Sequence, residues 1–263
     1  YERSITHYEL AERVSKAVSI DQFRLYVFLN LSYSHRELGD LETAESYCHR
    51  GLALCESLSE RRERFELLLA LGNIAHMRGQ REAAKGYFRQ CMDLSQGRYP
   101  SDLTLAQCNL SLVCVQYHDY EEAIEVAERA FSREGEELLM PHRVVLTIWL
   151  ECARLLSGGH GSPEGIGRLR SALEEALERG SASIKALCLL AMCLLFKETK
   201  RTLATRAAAA LPNFQTYARI KAELGVEPEP AHSLDTMLEE IVRDWESLLP
   251  RDLALGERPS EEP

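Results

Sequence analysis

The 263-residue chain carries 41 Asp and Glu against 31 Lys and Arg, a formal net charge of -10. That balance opposes the counterion release on which non-specific nucleic-acid binding depends, and it argues against DNA or RNA as the partner. With 45% hydrophobic and 27% charged residues the chain has the composition of a globular protein with a real core, neither disordered nor fibrous. The longest apolar run, Ala186 to Phe196, falls short of the roughly 18 to 20 residues needed to cross a bilayer, so no membrane span is expected. The first residues, Tyr1-Glu2-Arg3-Ser4, show no signal-peptide pattern. Eight cysteines are scattered singly through apolar segments, with no C-x-x-C pair and no histidine at zinc-ligand spacing. They read as buried, reduced thiols of a cytoplasmic or nuclear protein, and no metal or cofactor is expected.

In chain order, the residues from Tyr1 read as the second helix of a helical pair, which predicts a natural chain that extends further toward the N-terminus. A repeat then becomes visible. Leu31-Ser32, Leu71-Gly72, Leu110-Ser111 and Leu150-Glu151 stand at successive spacings of 40, 39 and 40, and three of the four leucines precede a small residue. Eight residues after each leucine comes a turn position, occupied by Gly39, Gly79, His118 and Gly158; the first three are followed by Asp40, Gln80 and Asp119. Such residues end one helix and start the next. The second helix of each unit repeats a small residue at Ser4, Ala44, Ala84 and Ala123. It then repeats Tyr8, Cys48, Phe88 and Ala127, and finally Ala11, Gly51, Cys91 and Ala130. Positions four and seven apart share one helical face, so each unit presents a notch that a large residue of the neighbouring unit fills.

The pattern is carried by Gly39-Asp40-Leu41-Glu42-Thr43-Ala44, by Leu71-Gly72 with Ala84 and Phe88, and by Asp119-Tyr120-Glu121-Glu122-Ala123-Ile124. It resembles the tetratricopeptide repeat family, closely over about residues 1 to 156 and loosely afterwards. The usual period is about 34 residues. The longer period here is similar to that of Pins-type spindle-orientation scaffolds, rapsyn and kinesin light chains. The resemblance implies an all-α fold, a right-handed α-solenoid of antiparallel helix pairs with a concave groove lined by the first helix of each pair. It also implies an adaptor rather than an enzyme.

After Gly158 the pattern stretches. A second helix for the fourth unit is expected at about Glu164 to Arg179, and a degenerate fifth unit over Ala182–Lys197 and Arg201–Leu211. Residues 1–212 are thus read as repeats and 213–250 as C-terminal capping helices. Ser233 is the N-cap and Pro250 the stop of a last helix striped by Met237, Leu238, Ile241, Val242, Trp245 and Leu248. Residues 251–263 read as a disordered tail. Tyr217 to Pro230 resembles the helix ends of bacterial transcriptional activation domains over about fourteen residues.

No His-Glu-x-x-His, nucleophile elbow or phosphate loop is present, and Gly165-Ile166-Gly167 lacks the strand and third glycine of a dinucleotide site. Chemistry is therefore not expected. First-helix positions five, two and one before the leucine, and two and five after it, share the face turned from the second helix. They nominate a groove made of Tyr26, Asn30, Tyr33 and Arg36, then Asn73 and His76, then Asn109, Leu112 and Val115, then Trp149. It grades from polar and aromatic to apolar. The asparagines, poor helix formers that both donate and accept, are placed to grip a peptide backbone; the alternative is that they bond each other or water between helices. The expected partner is a peptide or helical segment of another protein, held by a scaffold in a multiprotein complex. The alternative function is the sensor domain of a signal-responsive transcriptional regulator, closing on a small ligand or signalling peptide.

Overall fold

A computed structural model of the chain describes residues 1–58, 60–96, 99–134, 138–157 and 162–180, with single positions at 184, 187, 188, 191 and 195. The described residues form nine helices and no strand: α1 (Glu2–Ala17), α2 (Asp21–Leu38), α3 (Leu41–Leu58), α4 (Arg61–Met77), α5 (Arg81–Ser95), α6 (Pro100–Gln116), α7 (Tyr120–Glu134), α8 (Met140–Leu156) and α9 (Pro163–Arg179). The fold is all-α, with neighbouring helices packed in series as in an α-solenoid. The fourth-unit second helix begins one residue before its expected start, because Pro163 takes the first helical position behind the Ser162 cap, whose Oγ accepts from the Gly165 amide at 3.0 Å. The expected fifth unit, capping helices and tail lie outside the described residues, apart from single positions up to 195.

The turns that separate the helices of each pair are built alike. Gly39, Gly79 and His118 stand in the left-handed region at φ 87°, 74° and 66°. At each, two backbone bonds close the helix end. The amides of Gly39 and Asp40 donate to the carbonyls of Arg36 and His35, both at 3.0 Å. Gly79 and Gln80 bond back to His76 and Ala75 at 3.0 and 2.8 Å, and His118 and Asp119 to Val115 and Cys114 at 3.2 and 2.8 Å. This double bond with a left-handed residue is the Schellman arrangement, and glycine suits it because it has no Cβ to clash. The following residue starts the next helix: Asp40 Oδ1 accepts the Thr43 amide at 3.1 Å. The Thr43 side chain, then its amide and His35, hold the Asp40 carboxyl below its usual value.

Residues 1–113 form one compact unit, and the described residues from Cys114 onward belong to a second. In the first, α1 packs on α2, α2 on α3, α3 on α4 and α4 on α5, with α2 also touching α4. Its core is a series of overlapping clusters. Val27, Phe28, Leu31 and Tyr47 join α2 to α3; Leu25, Ala44, Cys48, Leu67 and Leu71 join α2, α3 and α4; Phe65, Leu68, Cys91 and Ala106 join α4, α5 and α6. The notch at Gly51 on α3 is filled by Leu67 of the next pair, as expected, whereas the notch at Gly72 on α4 is filled by Phe88 on α5 of its own pair. A Cβ on Gly72 would stand 2.5 Å from Phe88 Cε1, and one on Gly51 would stand 2.7 Å from Leu67 Cδ1. Phe88 is fully enclosed, and burial of such a ring is worth about 1.5–3 kcal/mol.

In the second unit α7 packs on α8 and α8 on α9. Here the residue after the repeat leucine is Glu151 rather than a small one, and the relation is inverted: the small partner is Gly165 on α9, whose Cβ would stand 2.7 Å from Glu151 Oε2. Glu151 is buried, and its Oε1 accepts from Arg154 Nη1 at 3.0 Å and from Arg168 Nε at 2.9 Å. A buried carboxylate requires such partners. Gly165 is thus explained by close helix approach.

The Gly72–Phe88 contact gives a direct test. Gly72→Ala should lower stability by about 1–3 kcal/mol through overpacking, measured by urea unfolding, and Phe88→Leu in the same chain should recover part of that loss. An unchanged unfolding midpoint for Gly72→Ala would contradict the notch.

Candidate functional site

Because α3 returns between them, α2 and α4 run in the same direction, and their outer faces leave a cleft of about 610 Å³. Tyr26, Leu29, Asn30, Tyr33 and Arg36 of α2 line it, with Arg62, Glu63, Glu66, Leu69, Ala70 and Asn73 of α4. Leu29, Leu69 and Ala70 make a half-buried apolar floor, while Tyr26 and Tyr33 stand at the rim, 57% and 48% exposed.

The polar groups divide by position. Asn30 Nδ2 donates to the Tyr26 carbonyl one turn back, at 2.7 Å. That bond fixes the side chain and uses one of its four hydrogen-bonding capacities. Asn73, one repeat on, shares the cleft. Arg36 lies over the Tyr33 ring at 4.9 Å and donates to Glu37 Oε1 from Nη2 at 3.0 Å. Tyr1 meets the Tyr33 ring edge-on at 5.9 Å. The Tyr33 hydroxyl is pushed up to about 12, first by its hydrogen bond with Tyr1, then by burial and by the Glu37 carboxylate. At the other end Glu66 is held above its ordinary value, first by partial desolvation of its carboxylate, then by Asp102 and Glu63, with Arg62 opposing.

Of the ten residues nominated from the sequence, Tyr26, Asn30, Tyr33, Arg36 and Asn73 come together in this cleft. His76 is buried. Asn109, on α6, donates from Nδ2 to the Leu105 carbonyl at 2.9 Å; like Asn30 it bonds its own helix one turn back. Leu112 and Val115 are enclosed at 7% and 1% exposure, and Trp149 at 0%. The apolar part of the expected groove therefore corresponds to interior surface. These side chains satisfy the hydrophobic drive within the chain and present no face to a partner. Arg62 and Glu63 were not anticipated. They lie one helical turn before Glu66 on the same face, so extending the α4 positions by one turn would have found them.

A second hollow of about 620 Å³ involves Cys55, Glu60, Arg61 and Leu94. Much of its polar lining is already engaged: Glu60 accepts from Gln22 at 2.9 Å, and Arg61 donates to the Leu94 carbonyl at 3.1 Å. Cys114, Asp119 and Glu122 bring their side-chain ligand atoms within 4.8 Å of one another. Asp119 and Glu122 are the cap and third residue of α7, the arrangement of a capping box. Burial pushes the thiols of Cys48 and Cys55 up to about 11 and those of Cys91 and Cys188 to about 12, away from nucleophilic behaviour.

A family model described as tetratricopeptide repeat matches residues 21–97, the stretch that contains α2 to α5 and both walls of the cleft. Residues 21–97 are thus similar to tetratricopeptide repeats. The fold is similar to the crystal structure of BtubC (BKLC) from P. vanneervenii, with a TM-score of 0.54 and 17% identity over 88% of this chain and 95% of that one. At that identity the likeness concerns the fold. No curated protein sequence matches the chain. Tetratricopeptide repeats generally mediate protein–protein interaction and are typically non-enzymatic scaffolds. Among the described residues no helix is long and apolar enough to cross a membrane.

Glu66 supplies a pH test. Its folded-state pKa is raised, so the folded chain takes up this proton at higher pH than the unfolded one. The ionised carboxylate therefore opposes folding, fully so above the folded pKa, and the penalty fades as pH falls to the ordinary glutamate range. Glu66→Gln should raise the melting temperature near pH 7, with a gain that shrinks toward about pH 4. An equal gain at both pH values would show that the effect is not ionisation.

Proposed function

We propose that the chain is a protein-interaction scaffold that holds a short segment of a partner protein in the cleft between α2 and α4, as part of a multiprotein complex. The observation that carries this reading is one cleft that combines an apolar floor, two asparagines and two exposed tyrosines. Amide side chains engage a backbone whatever its sequence, and rigid aromatic side chains add contact area at low entropic cost. From Tyr26 to Arg36 the wall rises about 15 Å, at about 1.5 Å per residue. At about 3.3 Å per residue, that length takes four or five residues of an extended segment. A helical segment would offer its apolar side to Leu29 and Leu69.

A second reading, the sensor of a signal-responsive regulator, draws support from the cleft volume, which lies within the range of about 300–1,000 Å³ typical of small-ligand sites. The cysteines, spread singly along apolar helices and buried where described, support a reducing compartment, cytoplasmic or nuclear, for either reading.

Affinity capture with the wild-type chain and with Asn30→Ala/Asn73→Ala, read by quantitative mass spectrometry, tests the proposal. The scaffold reading expects a partner retained by the wild type and depleted at least about tenfold by the variant, the equivalent of about 1.4 kcal/mol, while the melting temperature stays within about 2 °C. Equal recovery by both chains contradicts the cleft as the binding surface.

A further inference from the structure

We infer that the partner segment carries a lysine or arginine whose charged head seats on Glu63 and Glu66 at the α4 N-terminal end of the cleft, beside a large apolar side chain that rests on Leu29 and Leu69. This inference rests on the cleft being the binding surface and adds the chemistry of its occupant.

The charges that line this end carry the inference. Glu63 lines the cleft in the first turn of α4, and a carboxylate at a groove wall favours a cationic donor from a partner through a charge-assisted hydrogen bond. Glu66 faces the same space one turn further on, and the Asp102 carboxylate stands near enough to disfavour its ionisation. Arg62 is the cleft-lining cation at this end. Three carboxylates against one guanidinium leave the end net acidic. The opposite end is set differently: Arg36 is engaged by Glu37 and by the Tyr33 ring, so its charge is already answered. The cleft is therefore acidic at one end and close to neutral at the other, and a segment with a cation at one end is oriented by it.

The spacing of the two sub-sites is also defined. From the midpoint of Glu63 and Glu66 to Leu69 the helix rises about 7 Å, at about 1.5 Å per residue. Two residues of an extended segment cover about the same distance and return to the same face. The basic side chain and the apolar one are thus two positions apart in the occupant.

The test is selection from a displayed library of random heptapeptides on the full chain, on Asn30→Ala/Asn73→Ala, on Glu63→Gln/Glu66→Gln and on Glu63→Lys/Glu66→Lys, each checked for helix content. The wild type should enrich Lys or Arg at least about fivefold at one position, two away from an aromatic or aliphatic residue. The Gln variant should lose the basic preference while keeping the apolar one, and the Lys variant should shift to Asp or Glu. Asn-dependent peptides without a basic preference, or a basic preference that persists in the Gln variant, overturn the inference and leave the cleft reading standing. If no enriched peptide depends on Asn30 and Asn73, the cleft reading itself falls and this inference with it.

Discussion

The close approach of neighbouring helices at a glycine notch is the constraint on which the rest of the structure depends. Where Gly72 faces Phe88, two helix backbones come close enough that a single added methyl would collide with the ring. The contact fixes which face of each helix is spent on its partner. Once Leu71, Ile74 and Leu67 are committed to the core, Glu66, Leu69, Ala70 and Asn73 are left on the other side by helical periodicity. The same logic in the preceding repeat commits Leu31 and Phe28 inward and leaves Tyr26, Asn30 and Tyr33 outward. The cleft is thus a by-product of the notch. It is shaped by packing on the opposite face and available for function because core formation does not consume it.

The second unit shows how far this constraint bends. With Glu151 in the place of a small residue, close approach survives because Gly165 yields the space on α9. The buried charge is then answered by Arg154 and Arg168. An ion pair replaces an aromatic plug. Ion pairs are directional, and removal of either partner leaves an unanswered buried charge, so this site should tolerate substitution less well than an apolar notch of the same volume.

The turns and notches were legible in the sequence because both are local. Gly39 and Gly79 signal a left-handed helix end by residue type, and His118 was recognised only because it falls in register with them. The α9 start was readable to within one residue from Ser162 and Pro163. On α2 and α4 periodicity alone picked out Tyr26, Asn30, Tyr33, Arg36 and Asn73, which share the cleft. Periodicity also placed Val115 and Trp149 on an open face, yet both are enclosed. It says which residues of a helix share a face, not whether another helix covers that face. Burial of a face is a property of elements distant in sequence, and no single helix encodes it. Glu63 was missed for a smaller reason: the repeat positions used to read the groove began one turn too late.

Site-specific photocrosslinking tests the cleft most directly, with a benzophenone side chain placed at Tyr33 on the rim or at Ala53 on the exposed side of α3. Each chain is irradiated with a partner that binds the wild type. A covalent adduct from position 33 and none from position 53 is the expected result. Adduct formation from position 53 with none from position 33 would place the partner on the second helices and contradict the cleft.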